Sequence, residues 1–126
     1  MISYIILYVS AITVSFWGIM HLVKTRPVVA GFEPLTDDNR HVLRMEWIVE
    51  GVALVFVGAL IAVMTGFQGP HAPGSALVYA MSGSFLLTMA VVSVFTGARA
   101  SPLPYKLCAP IFAGAALLVF LGAYVM

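Results

Sequence analysis

Charged side chains are scarce in this sequence. Six Lys or Arg and five Asp or Glu make up 9% of its 126 residues, where a soluble domain carries about 25%. The shortage excludes an ordinary hydrated globule. It also excludes a nucleic-acid binder, because no basic arm or strip of interleaved aromatic and basic residues is present to meet phosphates. Cysteine is almost absent: Cys108 stands alone, which rules out an internal disulfide framework and a dithiol redox pair within the chain. There is no internal repeat and no low-complexity segment.

Apolar residues fill the gap, at 62% of the chain with a mean hydropathy of +1.06. They gather in four runs, Ile2 to Val23, Trp47 to Gly66, Ala76 to Thr96 and Leu107 to Val125. Each run approaches the roughly 20 residues that cross a hydrocarbon core about 30 Å thick at 1.5 Å per residue. The expectation is one all-α domain over residues 1–126, an antiparallel bundle of four transmembrane helices with spans near 2–23, 45–66, 76–97 and 106–125. The first run lacks the basic leader and small-residue cleavage site of a signal peptide, so it reads as a retained helix.

The six basic residues are sorted by connection. Lys24, Arg26, Arg40 and Arg44 lie in or beside the first, Arg99 and Lys106 in the third, and the second has none. By the positive-inside rule the first and third connections are cytoplasmic and both termini lie on the other side. The matching location is the inner (cytoplasmic) membrane of a bacterium or archaeon. Arg40, Arg44, Arg99 and Lys106 are then placed to meet anionic lipid headgroups. In the first connection, Thr25-Arg26-Pro27 and Gly31-Phe32-Glu33-Pro34 read as an ordered loop on the membrane surface, with capping a pocket or docking a soluble partner as alternatives.

Local signals mark helix ends. Thr36 followed by Asp37, Asp38 and Asn39 supplies an N-cap and acidic first-turn residues that complement a helix dipole. The second helix should therefore start well before its apolar run. Gly69-Pro70 and Pro73-Gly74 mark a turn, and Pro102, Pro104 and Pro110 bracket the start of the fourth helix. Gly51, Gly58, Ala62 and Gly66 form one small-residue stripe, and Ala80, Ser84 and Thr88 form another. Such stripes let helix backbones approach closely in lipid.

Polar chemistry gathers at one depth. Trp17 and His21 are four residues apart near the end of the first run, and Glu46 and Glu50 share the same spacing at the start of the second. Ser93, Thr96 and Cys108 fall at the same level, so Trp17, His21, Glu46, Trp47, Glu50, Ser93, Thr96 and Cys108 define a candidate ligand pocket. An ionised carboxylate on a helix at bilayer depth costs about 2.5–3.5 kcal/mol, so it turns inward, finds a partner or takes up a proton. Glu46 reads as interfacial, solvated or paired with Arg44, Arg99 or Lys106. Glu50 is expected to face inward, either as a structural partner of His21 or a nearby hydroxyl, or as an acid/base group alongside His21. The catalytic candidates are thus Glu50, His21 and Glu46, none of them firm. No metal is expected, because the Glu-x-x-His pairs of di-iron carboxylate bundles are missing and His41 and His71 lie too far away. Trp17 and Trp47 fit an aromatic girdle at the interface or a stacking wall for a quinone or isoprenoid, and Cys108 reads as a small apolar side chain.

Four spans in a short chain, Gly18-Ile19-Met20-His21 closing the first helix, and Glu50-Gly51 opening a second helix with Gly58 one heptad on resemble the DoxX-like group of small four-helix membrane proteins. Some members of that group are membrane subunits of thiosulfate:quinone oxidoreductase or of other redox assemblies. The resemblance implies a lipid- or quinone-facing bundle with His21 and Glu50 at matching positions. The chain departs from a redox enzyme in having neither paired cysteines nor a haem ligand pair. A more distant likeness is to emopamil-binding or sterol-isomerase bundles, which use membrane carboxylates and a histidine to move protons on a lipid.

Two functions stay open at this stage. One is a non-catalytic accessory or anchor subunit of a membrane complex, with other subunits or further copies of the chain as partners. The other is a lipid-, quinone- or isoprenoid-binding protein, or an acid/base enzyme acting on a lipid through Glu50 and His21, with quinone or bound lipid as its cofactor. A transporter is disfavoured because the outer half offers only hydroxyls such as Ser10, Thr13, Ser82 and Ser84.

Overall fold

The structure is a computed structural model that describes residues 1–97 and 106–124. It is all-helical: α1 is Ile2–Ala30, α2 Asp37–Phe67, α3 Pro73–Thr96 and α4 Cys108–Tyr124. The first three are long and apolar enough to cross a membrane, and α4 is a shorter apolar helix.

The helix starts follow the sequence signals. The Thr36 hydroxyl accepts the Asn39 N–H at 3.2 Å, with Asp37 and Asp38 in the first turn of α2. Pro73 opens α3, where its missing N–H leaves no helical bond unmade. Gly69 takes a positive φ of 82° in the turn before it, and its carbonyl accepts the Ser75 hydroxyl at 2.8 Å.

The first connection differs from the loop anticipated for it. Helix α1 runs through Lys24, Arg26 and Pro27 to Ala30, leaving only residues 31–36 as a link. Lys24 and Arg26 end the apolar run but not the helix, because an inward stripe continues past them through buried Thr25, Val28 and Val29. The Thr25 hydroxyl donates to the His21 carbonyl at 2.8 Å.

Arg40 holds the link. Its Nε and Nη2 donate to the Glu33 carboxylate at 2.7 and 3.2 Å, and Nη1 donates to Asp37 at 2.7 Å. Arg40 is thus occupied by carboxylates of its own chain where lipid phosphate was anticipated. These bonds, followed by one from the Leu35 N–H, hold the Glu33 carboxyl below its ordinary range. A carboxylate lowered in the folded state adds stability above its unfolded-state pKa and loses it as pH falls through the lowered value. The protection of the Leu35 amide, its exchange rate relative to the intrinsic base-catalysed rate at each pH, is therefore expected to be high at neutral pH and to fall on acidification, whereas in Glu33→Gln it is low throughout.

Helix α1 is the hub, packing along α2 on one side and α4 on the other, while α3 packs mainly on α4 and only scantly on α2. The core between them holds Leu7, Val14, Leu54, Ile61, Tyr79, Leu86, Phe112 and Val119. Two hydroxyl contacts tie the helices together inside it. Ser10 donates to the Ala115 carbonyl at 3.0 Å, joining α1 to α4. Thr65 donates to the Ile61 carbonyl at 2.7 Å, so the Tyr79 hydroxyl, 3.0 Å away, donates to Thr65 and joins α2 to α3.

Close approach of α1 and α2 rests on glycine. A Cβ on Gly18 would lie 2.7 Å from the Gly51 carbonyl oxygen, and one on Gly51 would lie 2.9 Å from that of Gly18. Further along, Gly58 faces Ser15 and the Ala11 carbonyl, and Gly66 faces the Tyr8 hydroxyl. The α2 stripe thus packs as its spacing suggested. The α3 stripe does not: Ser84 and Thr88 are exposed, and the inward face is Ser75, Tyr79, Ser82, Gly83, Leu86 and Ala90. Thr88 satisfies its hydroxyl on the Ser84 carbonyl at 2.9 Å, so it can face outward without a partner helix.

Candidate functional site

The Gly18–Gly51 contact positions the site. His21 lies one turn beyond Gly18 and Glu50 immediately before Gly51, so the helices are in close contact where these side chains leave them. His21 Nε2 lies 3.5 Å from Glu50 Oε1, with His21 only 3% exposed and Glu50 25% exposed. Cys108, at the start of α4, completes a cluster in which one ligand atom each from His21, Glu50 and Cys108 lie within 4.8 Å of one another.

The imidazole is held on every side. Its Nδ1 lies 2.9 Å from the Trp17 carbonyl oxygen. A carbonyl only accepts, so Nδ1 carries a proton, and in the neutral ring Nε2 is left with its lone pair. Trp47 stacks on the ring with centroids 4.5 Å apart and planes 22° from parallel. Trp17 meets it edge-on, with centroids 5.9 Å apart. The two tryptophans therefore wall the imidazole, a different stacked group from the quinone or isoprenoid anticipated for them.

Two polar atoms here are buried without a hydrogen bond, His21 Nε2 and the Trp17 indole N–H. An unsatisfied buried group costs about 1–3 kcal/mol. Nε2, the Glu50 carboxylate and the Cys108 sulfur are all electron-pair donors. Facing one another, they require a proton or another electrophile between them.

The other anticipated residues stand apart from this cluster. Glu46 is exposed and, among the described residues, makes no ion pair with Arg44 or Lys106, which are also exposed. Ser93 and Thr96 return their hydroxyls to the Met89 and Val92 carbonyls, each at 2.7 Å. Arg99 lies outside the described residues. From the sequence, Cys108 reads as a small apolar side chain. A single cysteine has no partner spacing to mark it as a donor, and only the fold brings it to His21.

The chain matches no protein-family model, no curated protein and no solved structure.

Proposed function

We propose that this chain is a four-span integral membrane protein of the inner membrane that binds the polar head of a membrane-dissolved ligand, a lipid or quinone, beside His21 and Glu50. The antiparallel arrangement with both termini outside rests on the sorting of Lys24, Arg26, Arg40, Arg44, Arg99 and Lys106 to the first and third connections. The observation that carries the ligand reading is the pair of unsatisfied buried atoms, one acceptor at His21 Nε2 and one donor at Trp17 Nε1. A hydroxyl or a reduced quinone oxygen answers both, accepting from the indole and donating to the imidazole. The aromatic wall excludes water from that exchange. The accessory-subunit reading draws support from the scant packing of α2 on α3, which leaves room for a helix of another chain.

Mass spectrometry of lipids that copurify from native membranes in chelator and mild detergent tests the proposal. Wild type is expected to retain one lipid or quinone class in stoichiometric amount. Trp17→Phe keeps the ring and loses the donor, and Glu50→Gln loses the charge. Each is expected to retain that class about tenfold less, the effect of roughly 1.4 kcal/mol of lost hydrogen bonding. Equal lipid content in all three proteins overturns the ligand reading, and a stoichiometric copurifying protein in place of lipid supports the subunit reading.

A further inference from the structure

The geometry points to a divalent transition-metal site of the zinc type formed by His21 Nε2, the Glu50 carboxylate and the Cys108 thiolate. Three elements of the fold converge on it, α1, α2 and α4, each giving one donor. In tetrahedral zinc sites, donors about 2.0–2.3 Å from the metal are separated from each other by roughly 3.3–3.6 Å. The His21–Glu50 distance of 3.5 Å already has that value, and the 4.8 Å limit on the cluster leaves Cys108 Sγ to close by at most about 1 Å, within reach of a rotation about χ1.

Three further features favour a cation here. His21 is 97% buried, since only 3% of it is exposed, and its Nε2, which makes no hydrogen bond, faces the other two donors. The Nδ1 hydrogen bond to the Trp17 carbonyl is the outer contact that metal-binding histidines make with their other nitrogen, and it fixes the ring's orientation. One carboxylate, one thiolate and one neutral imidazole carry two negative charges, so a divalent ion makes the cluster neutral. Neutrality matters at the edge of hydrocarbon, where an uncompensated charge is expensive. The thiol releases its proton to solvent on binding.

Three protein donors leave a fourth position open. The inference deepens the ligand reading above and rests on it only for the occupant of that position, an oxygen of the lipid or quinone head, which meets the metal when the metal holds the Nε2 lone pair and donates to Nε2 when the site is metal-free. Mixed nitrogen, oxygen and sulfur donors suit zinc-like ions better than magnesium or calcium, which prefer all-oxygen shells.

The test uses the full chain in detergent, stripped with chelator, kept reduced, and titrated with Co2+ alone. One Co2+ per chain is expected, with a thiolate charge-transfer absorption that Zn2+ abolishes on displacing it. Cys108→Ser is expected to lose that absorption and bind at least tenfold more weakly, and Glu50→Gln to keep the absorption with weaker binding. Circular dichroism and elution volume matching wild type show that each variant is folded. Absence of stoichiometric Co2+ uptake by wild type, or an unchanged absorption in Cys108→Ser, overturns the site. Lipid retention is measured in chelator, so the metal site and the ligand reading fail separately.

Discussion

Gly18→Leu is expected to prevent α1 and α2 from closing at the level of the site. The leucine Cβ alone would sit 2.7 Å from a backbone oxygen and 2.9 Å from Leu54 Cβ and Val55 Cγ2. Backbone cannot rotate away as a side-chain tip can, so the helices have to separate. Overpacking of a close-packed core costs about 1–3 kcal/mol for extra methylenes. Gly18→Ala is expected in that range and Gly18→Leu beyond it, read as a lowered denaturation midpoint in detergent. Gly114→Ala is the control: nothing lies within 4 Å of its Cβ position, so the midpoint should stay level or rise slightly through better helix propensity. Equal effects at Gly18 and Gly114 would refute close approach as the basis of the α1–α2 contact. Lipid retention should fall with the Gly18 variants too, because the same contact aligns His21 with Glu50.

The second large effect is expected at the His21–Glu50 pair itself. Removing one member of a buried pair leaves the other uncompensated and typically costs about 3–5 kcal/mol, whereas replacing both with apolar groups is often neutral. Glu50 is partly exposed, which puts the expected loss for Glu50→Leu at the lower end, about 3 kcal/mol. His21→Phe keeps a ring to stack on Trp47 but leaves Glu50 without the partner that shares a proton with it. The double variant should be more stable than the sum of the single changes allows, by about 1–3 kcal/mol of coupling. Additive losses in a double-mutant cycle would mean the two side chains do not interact. A stable double variant that retains no lipid would separate the pair's role in binding from its role in holding the bundle.

Much of this fold is written in local signals that physical chemistry makes hard to miss. Four apolar runs can satisfy their backbones in lipid only as helices, and Thr36 with its following acids caps α2 where expected. The end of α1 was harder, because Lys24, Arg26 and Pro27 report where the hydrocarbon stops, while helix continuation depends on tertiary burial of Val28 and Val29. Side-chain hydroxyls misled on α3 for a related reason. Ser84 and Thr88 look like packing residues, yet Thr88 meets its needs on its own helix, and Gly83, pressed against the Phe120 ring, does the packing instead. Within the site, the spacing of Trp17 with His21 and the nearby Trp47 and Glu50 allowed four members to be placed together. Cys108 belongs to a distant helix, and its contact with them is a property of the fold alone.

The continuation of α1 to Ala30 has a mechanical consequence. At 1.5 Å per residue, its 29 residues and the 31 of α2 are roughly 43 and 46 Å long, well over the roughly 30 Å of hydrocarbon. Joined by a link of six residues, 31–36, and clamped by Arg40, the two helices make a stiff lever whose surplus length has to tilt or stand clear of the bilayer. Its fulcrum is the place where the two glycine backbones meet with no side chain between them, and a pull on the tip is felt there, at the imidazole, with little slack to absorb it.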